Sequence, residues 1–211
     1  MRAGHLKIMA MTLVIVVATL VPALPRAAEI AGDAQLTRLQ EILDGIDRRY
    51  AGPGFSATFY QSSTLKALGV TDTAAGRLTV KRPDKMLWIY RPADNQVMLG
   101  AAPSFFRDGK GASFLTDTRH IRDQFHVSQV PATEPGTLRL QLIPRTPQGD
   151  IARILVSVAA DTKTVVEIIT INTHDDETRI ALSGIVFEDS LPDALFTFTI
   201  PDGTDVVRLD E

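Results

Sequence analysis

The chain has 211 residues, with 22 Lys+Arg against 25 Asp+Glu, 45% hydrophobic residues and no cysteine. The lack of cysteine excludes a disulfide framework and a thiol that could carry a lipid anchor. The acidic balance, with no run of Lys and Arg, argues against nucleic acid and anionic membrane surfaces as partners.

Residues 1–28 begin with Arg2 and Lys7, continue as an uncharged run from Ile8 to Pro25, and end in Arg26-Ala27-Ala28. A basic start, a short apolar segment and small residues at its end predict a signal peptide. Pro22 and Pro25 interrupt the run, which is short for a membrane span. Arg26, third from the end of a leader that closes at Ala28, stands where a small residue is preferred, so an uncleaved anchor is the alternative. Three of the 22 basic residues and none of the 25 acidic ones lie in this leader, so residues 29–211 carry a net −6. A single domain over 29–211 is expected, large enough to bury a core.

Asp33 is a candidate helix cap, followed by Leu36, Leu39, Leu43, Ile46 and Tyr50 at helical spacing. Ala51-Gly52-Pro53-Gly54 ends that helix. The pattern then alternates: Phe55, Ala57, Phe59 and Gln61 share one face, and Ser56, Thr58, Tyr60 and Ser62 the other. Leu78 and Val80 alternate with Arg77, Thr79 and Lys81. Leu87–Tyr90 and Gln96–Leu99 read as short strands about the turn signal at 91–95. Residues 112–125, with Phe114, Leu115, Ile121 and Phe125, read as a short amphipathic helix. Strands follow at His126–Val130, Leu138–Pro144, Ala152–Val158, Thr164–Asn172, Thr178–Glu188, Phe196–Ile200 and Asp205–Leu209, separated by turns rich in Gly, Pro and Asp. The fold class is therefore α+β: an incomplete antiparallel β-barrel, or strongly curved sheet, with helices over its concave apolar face.

Two readings of that face stand side by side. In one, the helices plug the barrel and the aromatic residues fill a solid core. In the other, the helices are a lid over an acyl cavity lined by Phe55, Phe59, Leu78, Val80, Met86, Trp88, Phe114 and Leu115. No catalytic constellation is evident. Gly54-Phe55-Ser56 and Gly111-Ala112-Ser113 lack the last glycine of a nucleophile elbow. His120 and His126 share no face. His174-Asp175-Asp176-Glu177 lies between two strands and reads as a solvated turn, not a metal site. No cofactor signature is present, so neither an enzyme nor a cofactor is expected.

Gly54–Gln61 behind an amphipathic helix, Gly76-Arg77-Leu78-Thr79-Val80-Lys81-Arg82-Pro83, Trp88–Pro92 with Asn95-Gln96-Val97, and Phe196–Val206, in this order behind a leader, resemble the outer-membrane lipoprotein carrier proteins of the LolA family. The resemblance implies an unclosed barrel covered by helices. It also implies a soluble periplasmic chaperone, expected as a monomer. Such a chaperone takes lipoproteins from an inner-membrane ABC transporter and hands them to an outer-membrane acceptor. By the same resemblance, Arg82 would latch a lid around residues 104–124; an exposed edge-strand arginine beside Pro83 is the other reading. One departure stands out. The family has two aromatic strand segments where this chain has one, and the join at Met86-Leu87 looks like the loss of a hairpin. A periplasmic lipid or glycolipid binder of the same fold, with no protein cargo, is the alternative function. A lipid hydrolase and a partner-binding module using exposed sheet edges are further rivals.

Overall fold

The computed structural model describes residues 32–52, 54–81, 121–147, 149–188, 190 and 205; at 25–31, 85–87, 89–91, 96–99 and 206–208 it describes the backbone. The chain divides into two units, Met1–Leu36 and Thr37–Glu211. In the first, residues 25–36 are helical and Leu36 is 61% exposed.

Helix α1 spans Pro25–Arg49, so it begins eight residues before the expected cap at Asp33. Pro25 occupies the first helical position, where a fixed φ and a missing N–H are harmless, and Ala27, Ala28 and Ala34 favour helix on either side of Gly32. Its second half packs through Ile42, Leu43 and Ile46, with Leu39 partly buried beside them. Gly45 is also buried. A Cβ there would come 2.6 Å from Cγ of Lys163, which lies in the turn between two strands with φ 57°. A mid-helix glycine is normally unfavourable by about 1 kcal/mol relative to alanine; here it admits the close approach of that turn.

Eleven strands are found among the described residues: β1 Gly54–Leu65, β2 Val70–Lys81, β3 Lys85–Leu87, β4 Ile89–Arg91, β5 Gln96–Leu99, β6 Phe125–Val130, β7 Thr137–Pro144, β8 Ile151–Ala159, β9 Val165–Asn172, β10 Glu177–Glu188 and β11 Asp205–Arg208. Eight form one curved, unclosed antiparallel sheet in the order β3-β2-β1-β10-β9-β8-β7-β6. This is the incomplete barrel expected. Two consecutive meanders, β1 to β3 and β6 to β10, join through the long-range pair β1–β10. A small sheet, β11-β5-β4, includes a parallel pair, β11 with β5.

Two expectations change, and two others fall on residues outside those described. Residues 112–120 lie outside the described residues; of the expected helix, Ile121–Gln124 is described, as helix α2. Phe125 opens β6 opposite Pro144 rather than closing the helix, as suits an aromatic residue. Leu87–Tyr90 is not one strand: Leu87 pairs with Thr79 of β2, whereas Ile89 pairs with Met98 of β5. An apolar run carries no mark of where its hydrogen-bonding partner changes. The Met86-Leu87 join, where the sequence suggests a hairpin loss, lies inside β3, just before the change of sheet between Leu87 and Ile89. The expected strand at Phe196–Ile200 lies outside the described residues.

The inner face is continuous. Ile180, Ile168, Val156 and Leu140 stand in one row across β10, β9, β8 and β7, and Leu142 and Ile154 pair beside it. Leu140, Val156, Ile154 and Leu142 are at most 2% exposed. Strand β10 keeps both ends turned inward through a bulge. Ser56 pairs with Val186 and Thr58 with Ser183, so Gly184 and Ile185 together oppose Ala57. Gly184 has φ +57°, the left-handed conformation that suits glycine. Before it, Ile180 and Leu182 pack on the core; after it, Ile185 and Phe187 do. The extra residue resets the parity of the strand.

Candidate apolar site and its clasps

Four of the eight expected cavity residues come together. Phe55 pairs with Val80, Ala57 with Leu78, and Phe59 with Gly76 on one side and Leu182 on the other. Phe55, Val80, Phe59 and Leu78 are 1%, 1%, 4% and 5% exposed, and all belong to one apolar cluster with Ile42, Leu43, Ile46 and Tyr50 of the helix end. Alternation along β1 and β2 puts them there, since residues two apart share a face. Met86 lies in β3, where the backbone is described. Arg82, Trp88, Phe114 and Leu115 lie outside the described residues, as does the expected lid except for residues 121–124.

Two fastenings escape sequence reading. At the end of α1, the Tyr50 ring meets Phe55 edge-on at 5.5 Å and Phe187 at 5.2 Å, and its hydroxyl accepts a hydrogen bond from the Val165 N–H at 3.0 Å. Arg49 lies 3.9 Å over the Phe187 ring and donates to Thr164 Oγ1 at 3.2 Å. Between the helices, Arg122 of α2 donates to Asp44 of α1 and lies 3.8 Å from Asp47, while Ile121 is buried in the core. The partners are 78 residues apart in the chain; no local spacing announces such a pair.

The outer face carries charge. Glu167 accepts from Arg139 Nη2 at 3.3 Å, Ser157 Oγ at 3.1 Å and Arg179 Nε at 2.6 Å. At one end of the sheet, His174, Asp175 and Asp176 lie in the β9–β10 turn and Glu177 opens β10, as the flanking strands suggest. Asn172 Oδ1 accepts from the N–H groups of His174 and Asp176, and Asp176 Oδ1 accepts from the Lys66 N–H at 2.8 Å. The Lys66 bond, with a further one from the Asn172 amide, holds the Asp176 carboxyl below its ordinary value of 3.8. A carboxylate lowered in the folded state adds stability above its unfolded pKa and loses it as pH falls through the folded one. In an NMR titration, the Lys66 amide proton is therefore expected to shift with a midpoint below 3.8, and Asp176→Asn to abolish that step. A midpoint at or above the ordinary value counts against the tie.

Together these parts bury apolar side chains beneath the end of α1. One face of a curved sheet is lined by aliphatic and aromatic side chains, helices lie on it, and the charged groups are kept to the outer face, the hairpin ends and the helix clasp. Among the described residues no cluster of three or more metal-ligating side chains occurs, and no helix is long and apolar enough to cross a membrane.

The profile of a family described as "Outer membrane lipoprotein carrier protein LolA" matches residues 108–199. A curated "Outer-membrane lipoprotein carrier protein" of Hahella chejuensis is 22% identical over 209 residues, covering 89% of this chain and 95% of its own length. One from Bordetella avium is 26% identical over 168 residues, covering 71% and 79%. Among solved structures, a LolA superfamily protein from Nitrosomonas europaea aligns over 75% of this chain and 97% of its own, with 12% identity and a TM-score of 0.33.

Proposed function

The likeness to the LolA lipoprotein carriers, read first from the sequence, is borne out by the family profile and the curated relatives, and from it we propose that this chain is a periplasmic carrier that shields the acyl chains of lipoproteins in transit between the inner and outer membranes. The observation that carries the reading is the continuous apolar inner face of the unclosed sheet, with the end of α1 seated on it. The need for such a surface is large. Burial is worth about 0.8 kcal/mol per CH₂, so a sixteen-carbon chain resists water by roughly 12 kcal/mol. A carrier must offset that cost and still release its cargo. Phe55, Phe59, Leu78 and Val80 would form part of the acyl-facing wall, with Met86, Trp88, Phe114 and Leu115 completing it. Arg82 would latch the lid, an inner-membrane ABC transporter would load the carrier, and an outer-membrane acceptor would unload it.

The test has two arms. The purified chain is expected to bind a fluorescent fatty acid saturably and to yield it to palmitate. Recovered from cells, it is expected to bring acylated protein with it. Arg82→Leu should leave the uptake of acylated protein intact and impair its transfer to acceptor membranes. Free lipid without protein in the recovered material would replace this reading by the glycolipid-binder alternative, and absence of fatty-acid binding would sink both.

A further inference from the structure

The hairpin that joins β1 to β2 ends in an apolar tip. Leu65, Leu68 and Val70 are 48%, 72% and 53% exposed around the turn at 66–69. Hairpin turns are ordinarily polar, and contiguous exposed apolar residues mark contact sites. The tip is also held firmly. Leu68 N–H donates to the Leu65 carbonyl at 3.1 Å, Gly69 N–H to that of Lys66 at 3.3 Å, and Gly69 has φ +63°. The neighbouring hairpin fixes it from the side: Asp176 takes the Lys66 N–H at 2.8 Å, and Asp175 lies 3.5 Å from its ammonium. These bonds favour the turn's conformation ahead of an encounter, which lowers the entropic cost of binding.

The surrounding charge selects the occupant. Asp72 pairs with Ser63 beside the tip, Glu177 with Thr64, and Asp150 reaches the β9–β10 turn through Asn172 Nδ2. With Asp175 and Asp176 these make five carboxylates. Among the described residues, Lys66, already held by Asp175, and His174 when protonated are the cations of the tip and the β9–β10 turn; Arg179, two residues on from Glu177, is held by Glu167, and Arg145 and Arg153 lie farther along the sheet toward β7 and β8. An anionic lipid surface would be repelled. So would the same tip of a second copy, since a two-fold contact sets like against like. We propose that the β1–β2 tip docks into a protein partner that offers an apolar hollow rimmed by Lys and Arg, with Leu68 as the anchor. The proposal rests on residues distinct from the apolar inner face and stands apart from the carrier reading.

A photoreactive benzophenone amino acid at the exposed Ala67, in the full-length chain in its own cells, tests this. The expected result is an adduct with one protein, joined through an apolar segment bordered by Lys or Arg. Leu68→Asp should cut its yield about tenfold, and salt at about 0.5 M should reduce it by screening. Fatty-acid displacement by the Leu68→Asp protein should match wild type. Adducts with phospholipid or with a second copy, an adduct indifferent to Leu68→Asp, or no adduct would each overturn the proposal. A chain that forms the adduct but binds no fatty acid would retain the docking tip and lose the carrier function.

Discussion

Tyr50→Ala is expected to destabilise the fold by about 4 kcal/mol, read from the urea midpoint at unchanged slope. Tyr50 follows the last turn of α1, where its N–H still reaches the Ile46 carbonyl at 2.9 Å, and it is 2% exposed. Truncating a buried aromatic ring typically costs about 3–5 kcal/mol. The edge-on contacts with Phe55 and Phe187 and the hydroxyl on the Val165 N–H place this site well inside that range. Tyr50→Phe separates the contributions. The rings stay packed while the Val165 N–H, on a residue 0% exposed, loses its hydroxyl acceptor. That variant should lose about 1–3 kcal/mol, the cost of a buried donor left unmet. A Tyr50→Ala protein within about 1 kcal/mol of wild type would show that α1 does not depend on this anchor. The consequence reaches function. The residue that fixes the helix end also touches Phe55, so loosening it opens the edge of the apolar face proposed to hold cargo.

Much of this architecture is legible in the chain because two periods carry it. Alternation over 54–61 and 77–81 puts Phe55, Phe59, Leu78 and Val80 on one face, and their burial agrees. The turns at Pro131–Gly136 and His174–Asp176 mark strand ends to within a residue or two. The parity change about Gly184 escapes that reading: residues 178–188 pass as one unbroken strand, and the bulge shows only in the register with β1. Pairing partners are another matter. The β1–β10 ladder sets residue 54 against residue 188, and nothing local selects that closure. The same holds for Arg122 with Asp44 and for Tyr50 with Val165, since hydrogen bonds between distant segments leave no spacing behind. Leu36 shows the opposite failure. It fits the helical stripe, yet it is 61% exposed within the first unit; helical period alone does not say where packing stops.

The second large effect is expected on the outer face, where Glu167→Gln should cost about 3 kcal/mol. Arg139, Ser157 and Glu167 stand in one cross-strand row over β7, β8 and β9. Arg139 and Glu167 side chains are only 12% and 13% exposed, and Arg139 Nε is buried without a hydrogen-bond partner. Arg139 therefore leans on Glu167 for its compensation, and removing the carboxylate's charge leaves a largely desolvated guanidinium. Breaking such a pair on one side is far costlier than replacing both members with apolar groups of similar size. The double variant Arg139→Met/Glu167→Leu should return to within about 1 kcal/mol of wild type, and urea unfolding of the set yields the coupling directly. A Glu167→Gln protein as stable as the parent would refute this account. The row matters beyond its energy, because the residues next to Arg139, Ser157 and Glu167 are Leu140, Val156 and Ile168, each at most 1% exposed. A slip of one residue between these strands would drive the charged row into the apolar face. The network penalises that slip heavily, so it specifies which side of the sheet stays free of charge.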